Sequence, residues 1–134
     1  NPMPATIKLI EDNSLRVNPE GFELKVRLNW YRSMPLSCVE RVYLAIDSQE
    51  VPAEAISFGI NGHWYQMSEL ANLTGEYWYV QDSASLQVRQ PGKIAHGETH
   101  TLEAEITLRA PYIVVGPGKF LTMPTRHTTT QVAG

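Results

Sequence analysis

The sequence lacks the features that mark several large classes of protein. Cys38 is the only cysteine among 134 residues, so no disulfide can form within the chain, which fits a reducing compartment. No lysine and arginine run occurs and the net charge is −3, which argues against nucleic acid as a partner. The apolar runs are far too short to cross a bilayer, and residues 1–10 do not resemble a signal peptide. We therefore expect a soluble, cytoplasmic protein.

Catalytic motifs are also missing. No G-x-S-x-G sequence occurs, and Cys38 lies in an apolar stretch without a nearby histidine, which favours an inert buried thiol. His96 and His100 have a spacing that suits a metal on a helix, but they flank Gly97 and enter a strand, so a surface or hydrogen-bonded pair is the better interpretation. His63 and His127 have no companions at ligand spacing. We predict no catalytic residue and no metal ligand in this chain.

A phosphate-binding loop is not indicated either. The stretch VVGPGKF at residues 114–120 has glycines and a lysine, but no helical pattern follows it, so we expect a flexible turn. Glu103 and Glu105 lie on the polar face of a predicted strand, where solvation is their ordinary role.

Helical periodicity is nearly absent as well. One short helix is predicted, with Ser68 as the N-cap of Glu69–Leu73 and the Glu69 carboxylate favouring the helix N-terminus.

Strand periodicity, by contrast, is strong. FELKVRLNW at residues 22–30 and TLEAEITLRA at residues 101–110 alternate apolar and polar side chains, which predicts strands with one buried and one solvated face. Weaker strands are predicted at Thr6–Ile10, Ser14–Val17, Arg41–Ile46, Ala55–Phe58, Gly62–Tyr65, Tyr77–Val80 and Leu86–Arg89.

Turn residues separate these strands. Asn61-Gly62 is the residue pair of a type I′ hairpin turn. DSQE at residues 47–50 also predicts a hairpin turn, but it lacks the glycine that best tolerates positive φ, so the sequence does not assign its turn type. Many short strands at regular spacing predict an all-β fold, an antiparallel β-sandwich of two packed sheets forming one domain over residues 1–134. Residues 123–134 lose the periodicity, and we expect a tail that is either disordered or ordered by a partner.

Aromatic residues occur in three clusters along the chain. In a strand, adjacent side chains point to opposite faces, so each cluster is expected to expose at least one ring. Exposed rings stack on sugars or anchor protein interfaces, and the alternative is that they cap sheet edges and bind nothing. The clusters comprise Trp30, Tyr31, Trp64, Tyr65, Tyr77, Trp78 and Tyr79.

The densest of these clusters lies in NWYRSMPLSCVE, residues 29–40. Proline fixes φ and removes a hydrogen-bond donor, so the loop is expected to be stiff. Arginine, tyrosine, tryptophan and methionine are enriched at interfaces, so this loop is predicted to be a docking surface. The predicted interface residues are Trp30, Tyr31, Arg32, Met34, Pro35 and Tyr112.

The order of these features resembles that of one family, the small β subunit of bacterial C-glycoside deglycosidases. The resemblance rests on RLNWYRSMPLSCVERVYLAID at residues 27–47, EVP at residues 50–52, and PGKIAHGETHTLEAEITLRAPY at residues 91–112. Within these stretches it is carried by Tyr31-Arg32, by PLSC at residues 35–38, and by Arg109-x-Pro111-Tyr112. The turn DSQE departs from the Asp-Gly expected there, and the tail has no match in the pattern.

The resemblance implies a function in a complex. The β subunit of this family is a β-sandwich that pairs with a larger TIM-barrel α subunit, which carries a divalent metal, manganese, and the catalytic histidine. The complex cleaves the carbon–carbon bond between a 3-keto sugar and an aromatic, flavonoid-type aglycone. This chain is then an accessory subunit without cofactor or catalytic residues of its own.

Two other hypotheses belong to different classes. The first is a free-standing carbohydrate-binding β-sandwich, in which Trp64 and Trp78 form the stacking platform. The second is a purely structural or adhesive sandwich, which binds neither a sugar nor a barrel subunit.

Overall fold

A computed structural model describes residues 8–28 and 30–134, and its secondary structure is dominated by strands. The strands described are β1 (Arg16–Asn18), β2 (Gly21–Arg27), β3 (Met34–Pro35), β4 (Val39–Ile46), β5 (Gln49–Glu50), β6 (Ile56–Ile60), β7 (His63–Gln66), β8 (Tyr77–Trp78), β9 (Ser83–Arg89), β10 (Thr99–Gly116) and β11 (Lys119–Val132).

The strands form two main sheets and one small one. The five-stranded sheet has the order β1-β2-β9-β6-β7, the four-stranded sheet has the order β11-β10-β4-β5, and β3 pairs with β8. All these pairings are antiparallel, and the apolar faces of the main sheets contribute to one buried cluster. The predicted all-β, antiparallel sandwich is confirmed, and the small third sheet was not predicted.

The two strongly alternating segments behave as their pattern predicts. In β2, Phe22, Leu24 and Val26 are fully buried while Lys25 and Arg27 are exposed. The regular strand ends at Arg27, three residues before the predicted end, and Asn29 lies outside the described residues. β10 contains the whole of the predicted strand 101–110 and continues beyond it to Gly116.

Most of the weaker strand predictions fall on observed strands with shifted ends. The exception is the predicted strand at the N-terminus, of which residues 6 and 7 lie outside the described part of the chain. Ile10 forms only an isolated bridge with Val26, so residues 8–10 lie beside β2 without forming a regular strand.

Three short 3₁₀ helices occur among the described residues, at Leu36–Cys38, Ala53–Ala55 and Met67–Asn72. The longest overlaps the predicted helix but begins two residues earlier, so Ser68 is not its N-cap. Gln66 occupies that position, and its backbone N–H donates to Oε1 of Glu69 at 2.6 Å. The reciprocal bond of this capping box fixes the start of the helix, which places Ser68 inside it.

Two hairpin turns have backbone angles of the type I′ class. Asn61 and Gly62 have φ values of 54° and 78°, which agrees with the predicted turn between β6 and β7. Asp47 and Ser48 have φ values of 50° and 69°, so the turn between β4 and β5 adopts the same hand without a glycine.

The tail differs from its prediction. Residues 123–132 lie within β11, which pairs with β10 from Val132 opposite Thr99 to Lys119 opposite Gly116. The alternation was hidden because the inward positions are polar: Thr125, His127 and Gln131 are all buried. Apolar periodicity therefore failed to reveal a strand that this chain orders by itself.

Candidate functional site

Four of the six predicted interface residues meet in a compact group at the surface. The indole N–H of Trp30 donates to the hydroxyl of Tyr112 at 2.7 Å, and the hydroxyls of Tyr31 and Tyr112 share a hydrogen bond of 3.1 Å. The rings of Trp30 and Tyr31 have centroids 4.7 Å apart, and the guanidinium carbon of Arg32 lies 4.8 Å from the centroid of the Tyr112 ring. We call Trp30, Tyr31, Arg32 and Tyr112 the aromatic cluster.

The small third sheet anchors the loop that carries three of these residues. Met34 pairs with Trp78 in that sheet, and the hydroxyl of Ser33 accepts the N–H of Val80 at 2.9 Å. Directly after β3, the backbone N–H of Leu36 donates to the carbonyl of Glu76 at 2.8 Å. The loop is therefore fastened to a second segment of chain, which limits the conformations open to the exposed side chains.

Tyr112 reaches the cluster from the long hairpin of β10 and β11. The last residue of β10 that pairs with β4 is Leu108, so the hairpin runs on beyond the sheet as two strands alone. We call residues 111–120 the hairpin arm. Its tip is Pro117-Gly118, where Gly118 has φ of 67° and allows the two-residue turn. The turn predicted within residues 114–120 is therefore present, and it joins the ends of β10 and β11.

The arm carries apolar side chains that the described part of the chain leaves exposed. Val114 is 66% exposed, and Val115 and Phe120 are also exposed. Together with the aromatic cluster they place a group of large apolar side chains at one region of the surface. Exposed apolar patches of this kind mark interaction sites more often than scattered single residues do.

The electrostatics of the aromatic cluster are simple. Partial removal of Tyr112 from water raises the pKa of its hydroxyl, and the hydrogen bond with Tyr31 acts in the same direction, against the opposing effects of Trp30 and Arg32. Tyr112 therefore stays neutral at physiological pH, and Arg32 supplies the positive charge of the cluster. An arginine over a tyrosine ring can both stack and donate hydrogen bonds to a partner.

Two predicted site residues differ from expectation. Met34 was predicted to lie at the interface, but it is only 1% exposed and packs in the core, where it holds the loop from within. Trp78 was predicted to stack on sugars, but it is 0% exposed because its ring packs edge-on against Phe58 and its N–H donates to the carbonyl of Asp82 at 2.9 Å.

The other predicted site residues lie at or near the surface. Tyr31 is 69% and Tyr112 43% exposed, Arg32 is exposed, and Pro35 is half-buried. Trp64 is 56% exposed and lies on β7, outside the aromatic cluster. The exposed apolar side chains of the hairpin arm were missed, and the signal available for them was the run IVV at residues 113–115.

His100 lies in a cluster of titratable residues outside the aromatic cluster. Nδ1 of His100 lies 2.6 Å from Asp47 and Nε2 lies 3.0 Å from Glu98. The hydrogen bond with Asp47 is the main cause that raises the pKa of His100, whereas the backbone N–H of Thr101 is the main cause that lowers the pKa of Asp47. This cluster joins the β4–β5 turn to the start of β10, so its contacts are those of a structural support.

In the described part of the chain, no group of three or more His, Cys, Asp or Glu side chains is arranged to hold a metal ion. Cys38 is buried. None of the helices in residues 8–28 and 30–134 has the length and apolarity needed to cross a membrane.

Comparison with known proteins identifies the family. The model of the C-glycoside deglycosidase beta subunit family matches residues 6–112. A C-glycoside deglycosidase beta subunit of Microbacterium trichothecenolyticum is 32% identical over 94% of this chain and 95% of its own length. One from Arthrobacter globiformis is 30% identical over 84% of this chain and 86% of its own length. A 3'-dehydrocarminate deglycosidase beta subunit of Microbacterium sp is 30% identical over 87% of this chain and 86% of its own length. The chain belongs to the family of C-glycoside deglycosidase beta subunits.

Proposed function

We propose that this chain is the small subunit of a cytoplasmic lyase that cleaves the carbon–carbon bond between a 3-keto sugar and an aromatic, flavonoid-type aglycone. In this proposal the chain docks on a larger TIM-barrel subunit, which carries a divalent metal, manganese, and the catalytic groups. The aromatic cluster and the hairpin arm are the docking surface.

Membership of a family of beta subunits supports the partner, because a subunit by definition has one. The name of one relative, 3'-dehydrocarminate deglycosidase beta subunit, supports an oxidised sugar as part of the substrate. The ketone of such a sugar makes the neighbouring C–H acidic, so a base can remove that proton and start the cleavage.

The observation that carries the docking role is the joining of two distant segments at one exposed site. Trp30 and Tyr112 are 82 residues apart in sequence, yet their side chains hydrogen-bond at the surface. Aromatic and arginine side chains in such a group are the residue types that dominate binding energy at interfaces. Bonds between them hold the rings in place before binding, which lowers the entropy lost on association.

The test is co-expression of the chain with its genomic neighbours, among which we look for a subunit of barrel size, followed by purification through a tag on this chain. Wild type is expected to retain the large subunit in stoichiometric amount and to cleave a 3-keto C-glycoside only when both chains are present. Tyr31→Ala and Arg32→Glu should lose both retention and cleavage while this chain stays folded.

The matched control is Arg89→Glu, which reverses an exposed arginine on β9, away from the aromatic cluster. It should leave retention and cleavage unchanged. Full assembly and activity in both cluster variants would remove the docking role from these residues, and cleavage by the large subunit alone would remove the need for this chain.

A further inference from the structure

Trp64 lies flat on the outer face of the five-stranded sheet. It pairs across the β6–β7 ladder with Gly59, on the opposite face from the buried Phe58. A Cβ atom at Gly59 would come within 2.6–2.8 Å of three carbons of the Trp64 ring, so glycine is what lets the ring lie against the strand. With one ring face against Gly59 and more than half of the residue exposed, the other ring face is open to solvent.

A shallow groove runs beside this ring. Ser85 pairs with Gly59 across β6 and β9, and Ser83 follows the same face of β9. Asn61 and His63, on the β6–β7 hairpin, form the rim. The groove has a volume of about 300 Å³, at the small end of the range for small-molecule sites, and no carboxylate, lysine or arginine lines it.

The groups around the groove leave hydrogen-bonding capacity unused. Within residues 8–28 and 30–134, the hydroxyl of Ser85 and the indole N–H of Trp64 have no protein partner, and the imidazole of His63 makes only a ring contact with Tyr65. The amide nitrogen of Asn61 donates to the carbonyl of Tyr77 at 2.8 Å, which fixes the rim and leaves the side-chain oxygen as an acceptor.

We propose that this groove binds one pyranose ring, stacked on Trp64 and hydrogen-bonded by the polar side chains around it. A pyranose has a face of C–H groups, which pack on the electron-rich face of an indole, and a rim of hydroxyls, which need donors and acceptors. A flat aromatic ligand would satisfy the ring but leave the polar groups without partners. The groove contains none of the docking residues, so a negative result for sugar binding would leave the proposed subunit role untouched, and the reverse holds as well.

The test uses the full chain labelled with 5-fluorotryptophan, which gives one fluorine signal for each of Trp30, Trp64 and Trp78. Methyl β-D-glucopyranoside is titrated into the millimolar range, where one stacked ring with a few exposed hydrogen bonds is expected to bind. The signal of Trp64 should move saturably while that of buried Trp78 stays in place.

Two substitutions separate the built site from a general solvent effect. Gly59→Ala should displace the Trp64 ring and weaken binding of the glucoside about tenfold. In wild type the glucoside should also shift the backbone amide NMR signals of Ser83 and Ser85, and Trp64→Ala should abolish these shifts. Ser57→Ala, on the same sheet face but outside the groove, is the control and should bind like wild type.

Three outcomes would overturn the proposal. One is a Trp64 signal that does not move with the glucoside. Another is an equal movement with glycerol, which has hydroxyls but no ring. The third is saturable movement with phenol but not with the glucoside, which would assign the groove to an aromatic ligand.

Discussion

The long hairpin of β10 and β11 has two halves that differ in what covers them. The root, Thr99–Ala110 with its partners on β11, lies beside β4, and its inward side chains Leu102, Ala104 and Ile106 are buried. The hairpin arm has no strand on either side among the described residues, and its valines are exposed. Burial explains the apolar residues of the root, whereas no contact within residues 8–28 and 30–134 buries Val114 and Val115 of the arm, so the arm is the half that a partner would complete.

The root also closes the sandwich with polar side chains. Nδ1 of His127 accepts the backbone N–H groups of Leu9 at 3.2 Å and Ile10 at 3.0 Å. Four residues on, Oε1 of Gln131 accepts the N–H groups of Ser14 and Leu15, each at 3.1 Å. The N-terminal segment that the structure describes, residues 8–15, is not a regular strand, so these side chains replace the ladder bonds that its backbone lacks.

Removing the His127 acceptor is therefore expected to have the largest effect on stability. His127→Leu leaves two buried N–H groups without a partner, at a cost of about 2–4 kcal/mol in the free energy of unfolding. Urea unfolding measures this, and Thr128→Ala, at the exposed neighbouring position on β11, is the control. A loss no larger than that of the control would mean that the N-terminal segment is held by its apolar side chains alone.

Substitutions in the arm are expected to lower the affinity for the large subunit and to leave the stability of the chain unchanged. The triple variant Val114→Ser, Val115→Ser and Phe120→Ser is expected to unfold at the same urea concentration as wild type, because these side chains are exposed. Its affinity for the large subunit should fall at least about tenfold, which corresponds to about 1.4 kcal/mol. Titration of the separately purified subunits measures the affinity, with Val132→Ser, an exposed valine at the root, as the control. Loss of stability with unchanged affinity would reverse the roles assigned to arm and root.

The pH dependence of stability gives a finer test of the root. Desolvation lowers the pKa of His127, with Lys8 acting in the same direction and Asp12 against them. A histidine with a lowered folded-state pKa stabilises fully above its ordinary value of about 6.5, and that stability is lost as the pH falls through the folded value. The contribution of His127 to the free energy of unfolding should therefore fall below about pH 6.5.

His100 contributes with the opposite sign, so the comparison must isolate His127. Because the pKa of His100 is raised, its stabilisation is present below about pH 6.5 and is lost as the pH rises through the raised value. His127→Gln keeps a side-chain acceptor but no titrating ring. The difference in unfolding free energy between wild type and this variant should shrink toward acid. A difference that is constant from pH 7.5 to 5 would show that the pKa of His127 is the same in the folded and unfolded states, which contradicts its lowering by burial.

The same contrast between apolar and polar packing explains what the sequence could predict about the fold. β2 and the first part of β10 were predicted because their buried positions are apolar and their exposed positions polar. The two-residue alternation of a strand is therefore present in the sequence itself. β11 was missed because His127 and Gln131 are buried for hydrogen bonds to a segment more than a hundred residues away. No local pattern contains that pairing.

The candidate site was predictable in the same partial way. The residue types of the loop at residues 30–35 and the resemblance pointed to Tyr31, Arg32 and Tyr112, which do lie together. Met34 and Trp78 were assigned to the surface wrongly, because β3 and β8 are two-residue strands, too short for alternation to indicate which side faces inward.

The smallest expected effect concerns the hairpin turn beside the root. Ser48 has φ of 69°, a left-handed conformation that costs a residue with a Cβ about 1–2 kcal/mol, whereas the arm turn meets the same need with Gly118. Glycine removes that strain but adds about 0.5–1 kcal/mol of backbone entropy to be lost on folding. Ser48→Gly should therefore stabilise the chain by about 0.5 kcal/mol, and Gly118→Ser should destabilise it by a similar amount. Urea midpoints measure both, and a destabilised Ser48→Gly variant would mean that the serine side chain contributes more than its backbone strain costs.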